Sequence, residues 1–188
     1  MVDERLAIFI DSRNIITPMV KLNLKVDWLK LRDFLAKKRT IIKTYFFDGH
    51  DEADKKAESF YTFLRANGFK VITRPLKYKT LTCNQCKVGD SIKHTGGKVP
   101  AHKPIIVSFQ KGVDVALVTE LLRMARENIY DTAIIVGGDN DFTNAVSCID
   151  TWGKRVEIAS FQDCLGDDLK KQAENLIILD KEVSNFKR

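Results

Sequence analysis

Tyr130-Asp131-Thr132-Ala133-Ile134-Ile135-Val136-Gly137-Gly138-Asp139-Asn140-Asp141-Phe142 is the stretch that decides the fold. Thr132 to Val136 is an unbroken β-branched and apolar run, which reads as a strand buried on both faces of a parallel sheet. The Gly-Gly pair stops it, and two acids follow where the helical pattern Phe142 to Trp152 begins. The start of the chain repeats this grammar. There the short strand Leu6 to Ile10 ends at Asp11, with Ser12, Arg13 and Asn14 behind it. Asp114 stands in a third such place, just inside the long helix opened by Lys111-Gly112, whose buried stripe is Val113, Ala116, Leu117, Leu121, Met124 and Ala125.

Outward from these motifs, strands and helices alternate. Asp27 precedes a helix through Trp28, Leu31, Phe34 and Leu35 that ends at Lys37-Lys38-Arg39; Ile41 to Phe47 reads as a strand, 53–67 as a helix, and Lys70 to Arg74 as a strand. Beyond Trp152 come a strand at Arg155 to Ala159, a helix at Gln162 to Glu174, and a last edge strand at Leu176 to Leu179. This order predicts an α/β fold with a mostly parallel sheet and helices on both faces. In such sheets ligands bind outside the carboxyl ends of the strands. Asp11, Asp114, Asp139 and Asp141 are therefore expected to converge. Carboxylates about 4 Å apart repel by about 4 kcal/mol at an effective dielectric of about 20. A divalent cation relieves that repulsion, and an all-oxygen ligand set points to Mg²⁺ or Mn²⁺. Helix capping is the competing explanation, and it applies most naturally to Asp114 and Asp139.

The chain has 188 residues and is 44% hydrophobic, enough for one domain with a sizeable core. No apolar run approaches the ~18 residues of a membrane span, and the first strand is preceded by Asp3-Glu4-Arg5 rather than a signal sequence, so a cytoplasmic location is expected. The exception to the alternation is 77–104, which reads as an inserted loop or small subdomain. The net charge of +6 is concentrated around it: from Arg74 to Lys111 there are eight Lys or Arg residues against the single acid Asp90. A basic segment beside an acidic crevice suits a polyanion, foremost nucleic acid, with Lys77, Lys79, Lys87, Lys93 and Lys111 as contacts. Solvated lysines on a surface loop give the same composition. Within the insertion, Cys83 and Cys86 followed by His94 and His102 supply the ligand types of tetrahedral zinc, at a spacing unlike a standard finger. A redox-active Cys83–Cys86 pair is the alternative.

Taken together, IFIDSRN, KGVDVALVTELLRMA, YDTAIIVGGDNDF and KRVEIASF resemble the NYN domain, and more closely its LabA-like branch. The resemblance runs from Leu6 to Asp180. It implies a Rossmann-like three-layer α/β/α domain similar to the PIN nucleases, and metal-dependent RNA hydrolysis in active members. By matching motif, Asp11, Asp114, Asp139 and Asp141 fall on the acidic positions and Asn14 on the polar position after the first strand. Ser12 stands where the family often has Gly, and Asn140 where Ser is frequent.

These readings predict a metal-dependent ribonuclease acting on single-stranded RNA. Asp11 and Asp139 would hold the ion and Asp141 complete its shell. Asp114 would orient water or hold a second ion, Asn14 contact phosphate or a bound water, and Lys111 pair with the RNA backbone. Tyr78, Phe109 and Tyr45 are aromatics available for base stacking, although core burial also suits the last two. An RNA-binding or scaffolding protein without catalysis is the alternative. The apolar last strand leaves a homo-oligomer open.

Overall fold

The computed structural model describes residues 4–51, 54–81, 105–109 and 111–188, with 79–81 and 105–109 described as backbone only. Its main sheet comprises β1 (Arg5–Asp11), β2 (Thr40–His50), β3 (Phe69–Pro75), β6 (Thr132–Val136), β7 (Arg155–Ser160) and β8 (Asn175–Ile178). Between β3 and β6 a separate antiparallel ribbon pairs β4 (Lys77–Leu81) with β5 (Ile105–Phe109). The helices are α1 (Ser12–Lys21), α2 (Trp28–Ala36), α3 (Lys55–Ala66), α4 (Val113–Arg126), α5 (Thr143–Thr151), α6 (Asp167–Gln172) and α7 (Val183–Phe186).

The main sheet has the order β3-β2-β1-β6-β7-β8, and every neighbouring pair is parallel. This is the doubly wound arrangement, with its topological switch between β1 and β6. Strand parity builds the three layers. Leu6, Ile8 and Ile10 pack with α1, α2, α3 and α7 on one face, through Ile15, Met19, Leu31, Leu64 and Phe186. Ala7 and Phe9 pack on the other face with α4 and α5, through Leu117, Leu121, Val146 and Ile149. Leu6, Ile8, Phe9 and Ile10 are fully buried, and each contributes about 1.5–3 kcal/mol.

Three differences from the sequence reading bear on the site. The run after Asp11 folds as α1, which Pro18 obscures because it has no N–H for the helix ladder. β2 continues to His50 and so carries Asp48. The helix expected over 162–174 is a 3₁₀ turn, Gln162–Cys164, followed by the short α6. Gly166 divides them. Its backbone runs so close to Asn140 that a Cβ there would lie 2.0 Å from Asn140 Oδ1. Cys83, Cys86, His94, His102, Lys87 and Lys93 lie outside the described residues, as does the side chain of Lys79. Among the described residues no helix is long and apolar enough to cross a membrane.

Candidate active site

β1 and β6 end side by side at the switch point, with Ile10 opposite Val136, so Asp11 and the Gly137-Gly138 turn leave the sheet together. Parity puts Asp11 on the Ala7 and Phe9 face, the face covered by α4, and Asp114 lies in the first turn of α4. Asp139 and Asp141 belong to the 3₁₀ turn that continues from β6 into α5.

The four acids differ in setting. Asp11 is only 4% exposed. Its Oδ1 accepts from Arg13 N (3.1 Å), making it the N-cap of α1, and its Oδ2 accepts from Asn14 Nδ2 (2.6 Å). Desolvation nevertheless dominates: it raises the Asp11 pKa to about 6, against the opposing Asn14 hydrogen bond, and Asp114 adds repulsion. Desolvation also raises Asp114, followed by repulsion from Asp139 and Asp141. Asp139 is exposed, and its Oδ1 accepts from Asp141 N (3.0 Å). Capping thus explains one oxygen each of Asp11 and Asp139. It does not explain Asp114, since Gly112 is the N-cap of α4. None of the four forms an ion pair with Lys, Arg or His among the described residues.

Asn14 joins the two strand ends. Its Nδ2 donates to Asp11 while its Oδ1 accepts from Gly138 N (3.3 Å). The Gly-Gly turn is packed from above by the segment after β7. Gly166 N donates to Gly138 O (2.7 Å), and a Cβ on Gly138 would lie 2.1 Å from the Cys164 carbonyl oxygen. Asn140 Oδ1 accepts from Leu169 N (3.2 Å), fixing the acidic turn against α6. Ser12 is engaged as well, since its Oγ donates to Asp48 Oδ1 (2.7 Å).

Between Asn14, the Gly138 to Asn140 turn and the Asp163 to Gly166 segment lies an open cleft of about 410 Å³. A larger groove of about 600 Å³ beside α1 and α3 is lined mainly by apolar side chains such as Met19, Val20, Trp28 and Phe63, and it holds none of the four acids. The sequence reading overlooked two acids at the carboxyl ends of the strands. Asp48 ends the run Phe46-Phe47 as Asp11 ends Phe9-Ile10, and it takes hydrogen bonds from Ser12 and from Tyr61 (2.9 Å). Asp163 lines the cleft from the segment after β7, where nothing in the sequence announces it. Lys111 and Lys77 are exposed beside α4 and β3. Tyr45 is not a stacking residue: it is 2% exposed and packs parallel to Phe9 and Phe47 in the core.

The donor set suits a hard cation. Every candidate ligand is a carboxylate, and burial, with repulsion between the acids behind it, already raises Asp11 and Asp114. Among the described residues no three of His, Cys, Asp and Glu are grouped so as to hold a metal ion by themselves. Mg²⁺ needs no such group, because it keeps several waters and takes one or two carboxylates.

The family model of the NYN domain matches residues 5–180. A solved structure described as a protein of unknown function, VPA0982 from Vibrio parahaemolyticus RIMD 2210633, is similar over 99% of this chain and 97% of that one, with a TM-score of 0.69 at 20% identity. No protein of curated function matches the chain.

Proposed function

The chain belongs to the NYN domain family, whose fold is that of the PIN-like nucleases, and from that premise we propose that it hydrolyses phosphodiester bonds of single-stranded RNA with the help of Mg²⁺ or Mn²⁺. The observation that carries this reading is the group of unneutralised carboxylates at the β1/β6 switch point, where Asp114 feels Asp11, Asp139 and Asp141.

Asp11 and Asp139 would hold the ion, with Asp141 completing its surroundings directly or through water. Bound there, the ion supplies a lowered pKa for water and positive charge against the phosphate. Asp114 orients the attacking water and accepts its proton; its raised pKa moves it toward the range useful to a base. Water oxygen bonds to phosphorus as the bond to the leaving ribose oxygen breaks, and that oxygen takes a proton from solvent. Asn14 positions rather than contacts substrate, since its amide already joins Asp11 to Gly138. Lys77 and Lys111, both exposed, offer charge to the RNA backbone. An open cleft at a sheet edge admits one strand more readily than a duplex. A cytoplasmic location belongs to the same reading. So does structural zinc at Cys83, Cys86, His94 and His102, which rests on ligand type and spacing and is tested by zinc stoichiometry after a chelator wash.

The incomplete shell favours a second reading, an RNA-binding scaffold without catalysis. Cleavage of end-labelled single-stranded RNA by chelator-stripped protein, with and without Mn²⁺ or Mg²⁺, separates the two. Cleavage that requires metal and disappears in Asp139→Asn supports hydrolysis. Tight binding with intact RNA under every metal overturns it in favour of the scaffold.

A further inference from the structure

Three aromatic residues are prominently exposed among the described residues: Phe63, Tyr78 and Trp152. Phe63 lines the apolar groove, and Trp152 follows the C-terminus of α5 with the Arg126 guanidinium over its ring. Tyr78 is different. It is 54% exposed, and its hydroxyl donates to Asp51 Oδ2, so its ring is held by one end while more than half of the residue is open to solvent.

Two chain paths place Tyr78 at the carboxyl edge with the acids. Asp51 directly follows β2, and Leu76 N donates to His50 O (2.9 Å), tying the start of the ribbon to the end of that strand. The partner strand returns to the site, for Tyr78 pairs with Ser108, and β5 leads through Lys111 and Gly112 into α4 and Asp114. Asp11 is level with Phe47 on β2, and Asp51 lies four residues further on. At about 3.3 Å per residue this is about 13 Å, the length of about four stacked nucleotides at ~3.4 Å each. Arg74 and Lys77 are exposed on the same segment of chain and offer positive charge to phosphate.

A fixed, exposed aromatic ring on a basic segment is the arrangement by which single strands are gripped without reading sequence. We propose that Tyr78 is a base-stacking platform that holds the single-stranded RNA away from the point of cleavage, a role that rests on the RNA-hydrolase reading. The hydroxyl tether to Asp51 lowers the entropic cost of presenting the ring.

The test is binding of the full chain, in a chelator so that no RNA is cut, to fluorescein-labelled oligouridylate and to a strand of equal length whose central sugars carry no bases. Wild type should bind the abasic strand about tenfold more weakly, within the range for one stacked base. Tyr78→Ala should lose that factor on oligouridylate and nothing on the abasic strand, while Tyr78→Phe, which keeps the ring and drops the tether, should fall between. Unchanged thermal midpoints establish that the exposed substitutions leave the fold intact. Tyr78→Ala binding oligouridylate as well as wild type, losing equally on both strands, or a wild type indifferent to the missing bases would each overturn the platform. Metal-dependent cleavage persisting beside any of those results shows that the platform alone has failed. A wild type that neither binds nor cleaves RNA removes the hydrolase reading and the platform with it.

Discussion

At the amino ends of the strands Glu4, Asp131 and Glu157 each meet an arginine, whereas at the carboxyl ends Asp11, Asp114, Asp139 and Asp141 have no ion pair among the described residues and repel one another through Asp114. Arg39 binds Glu157 through both terminal nitrogens (2.9 and 3.0 Å) and also donates to the Leu35 and Ala36 carbonyls that close α2. Arg5 forms a fork with Asp131, and Arg155 reaches Glu4 at 2.7 Å. The electrostatic consequences are opposite: the Arg5 hydrogen bonds hold Asp131 well below the usual carboxylate range, while burial lifts Asp11 to about 6. One sheet thus carries acids that stabilise it at one edge and acids that strain it at the other. Strain of that kind is retained where a function uses it.

The comparison breaks most readily through Asp11 and Asp139. Asp11→Asn or Asp139→Asn should reduce metal-dependent cleavage by more than about a hundredfold, since even outer-shell partners of a metal are worth 10–100-fold. Asp11→Asn should also leave the metal-free fold at least as stable as wild type by urea unfolding. Loss of stability with retained cleavage would make Asp11 a cap and nothing more.

The next effect is in pH. The folded chain keeps the Asp11 proton up to about pH 6, while the unfolded chain releases it near 3.8, so metal-free stability should fall as pH rises through that interval. The rise from 3.8 to about 6 corresponds to at most about 3 kcal/mol. Asp131 runs the other way: its contribution is present above its unfolded value and lost as pH falls below it. Urea midpoints of wild type and Asp11→Asn across pH 4 to 7 should therefore diverge at the alkaline end, with the variant the more stable.

Smaller still is Arg39→Ala. It should cost about 2 kcal/mol, because a partly buried bidentate pair and two helix carbonyls lose their donor, yet leave cleavage per folded molecule unchanged. Arg5→Ala should have the least effect, as Arg5 and Asp131 are each about a third exposed and water replaces much of their attraction.

How much of this was legible in the sequence varied with the physical signal. The strands at 132–136 and 155–159 were plain because each is an apolar run bounded by turn residues, and α4 was plain because its stripe repeats at helical spacing. α1 was hidden by Pro18, and the break before α6 by a glycine whose necessity comes from Asn140, distant in sequence. Asp11, Asp114, Asp139 and Asp141 stood out in the sequence because each interrupts an apolar pattern, and the part they play in the site is proposed. The clamp made by Asn14 was not legible, since its link to Gly138 spans 124 residues of chain. Nor was Asp163, which joins the cleft only because the segment after β7 folds back over the Gly-Gly turn.

The most direct test of the contrast between the two edges is thermal unfolding of wild type and Asp11→Asn in chelator and again in excess Mn²⁺. A cation that relieves the carboxyl edge should raise the wild-type midpoint, while Asp11→Asn should start higher and respond little. Equal midpoints in chelator, with Mn²⁺ moving neither protein, would contradict the account.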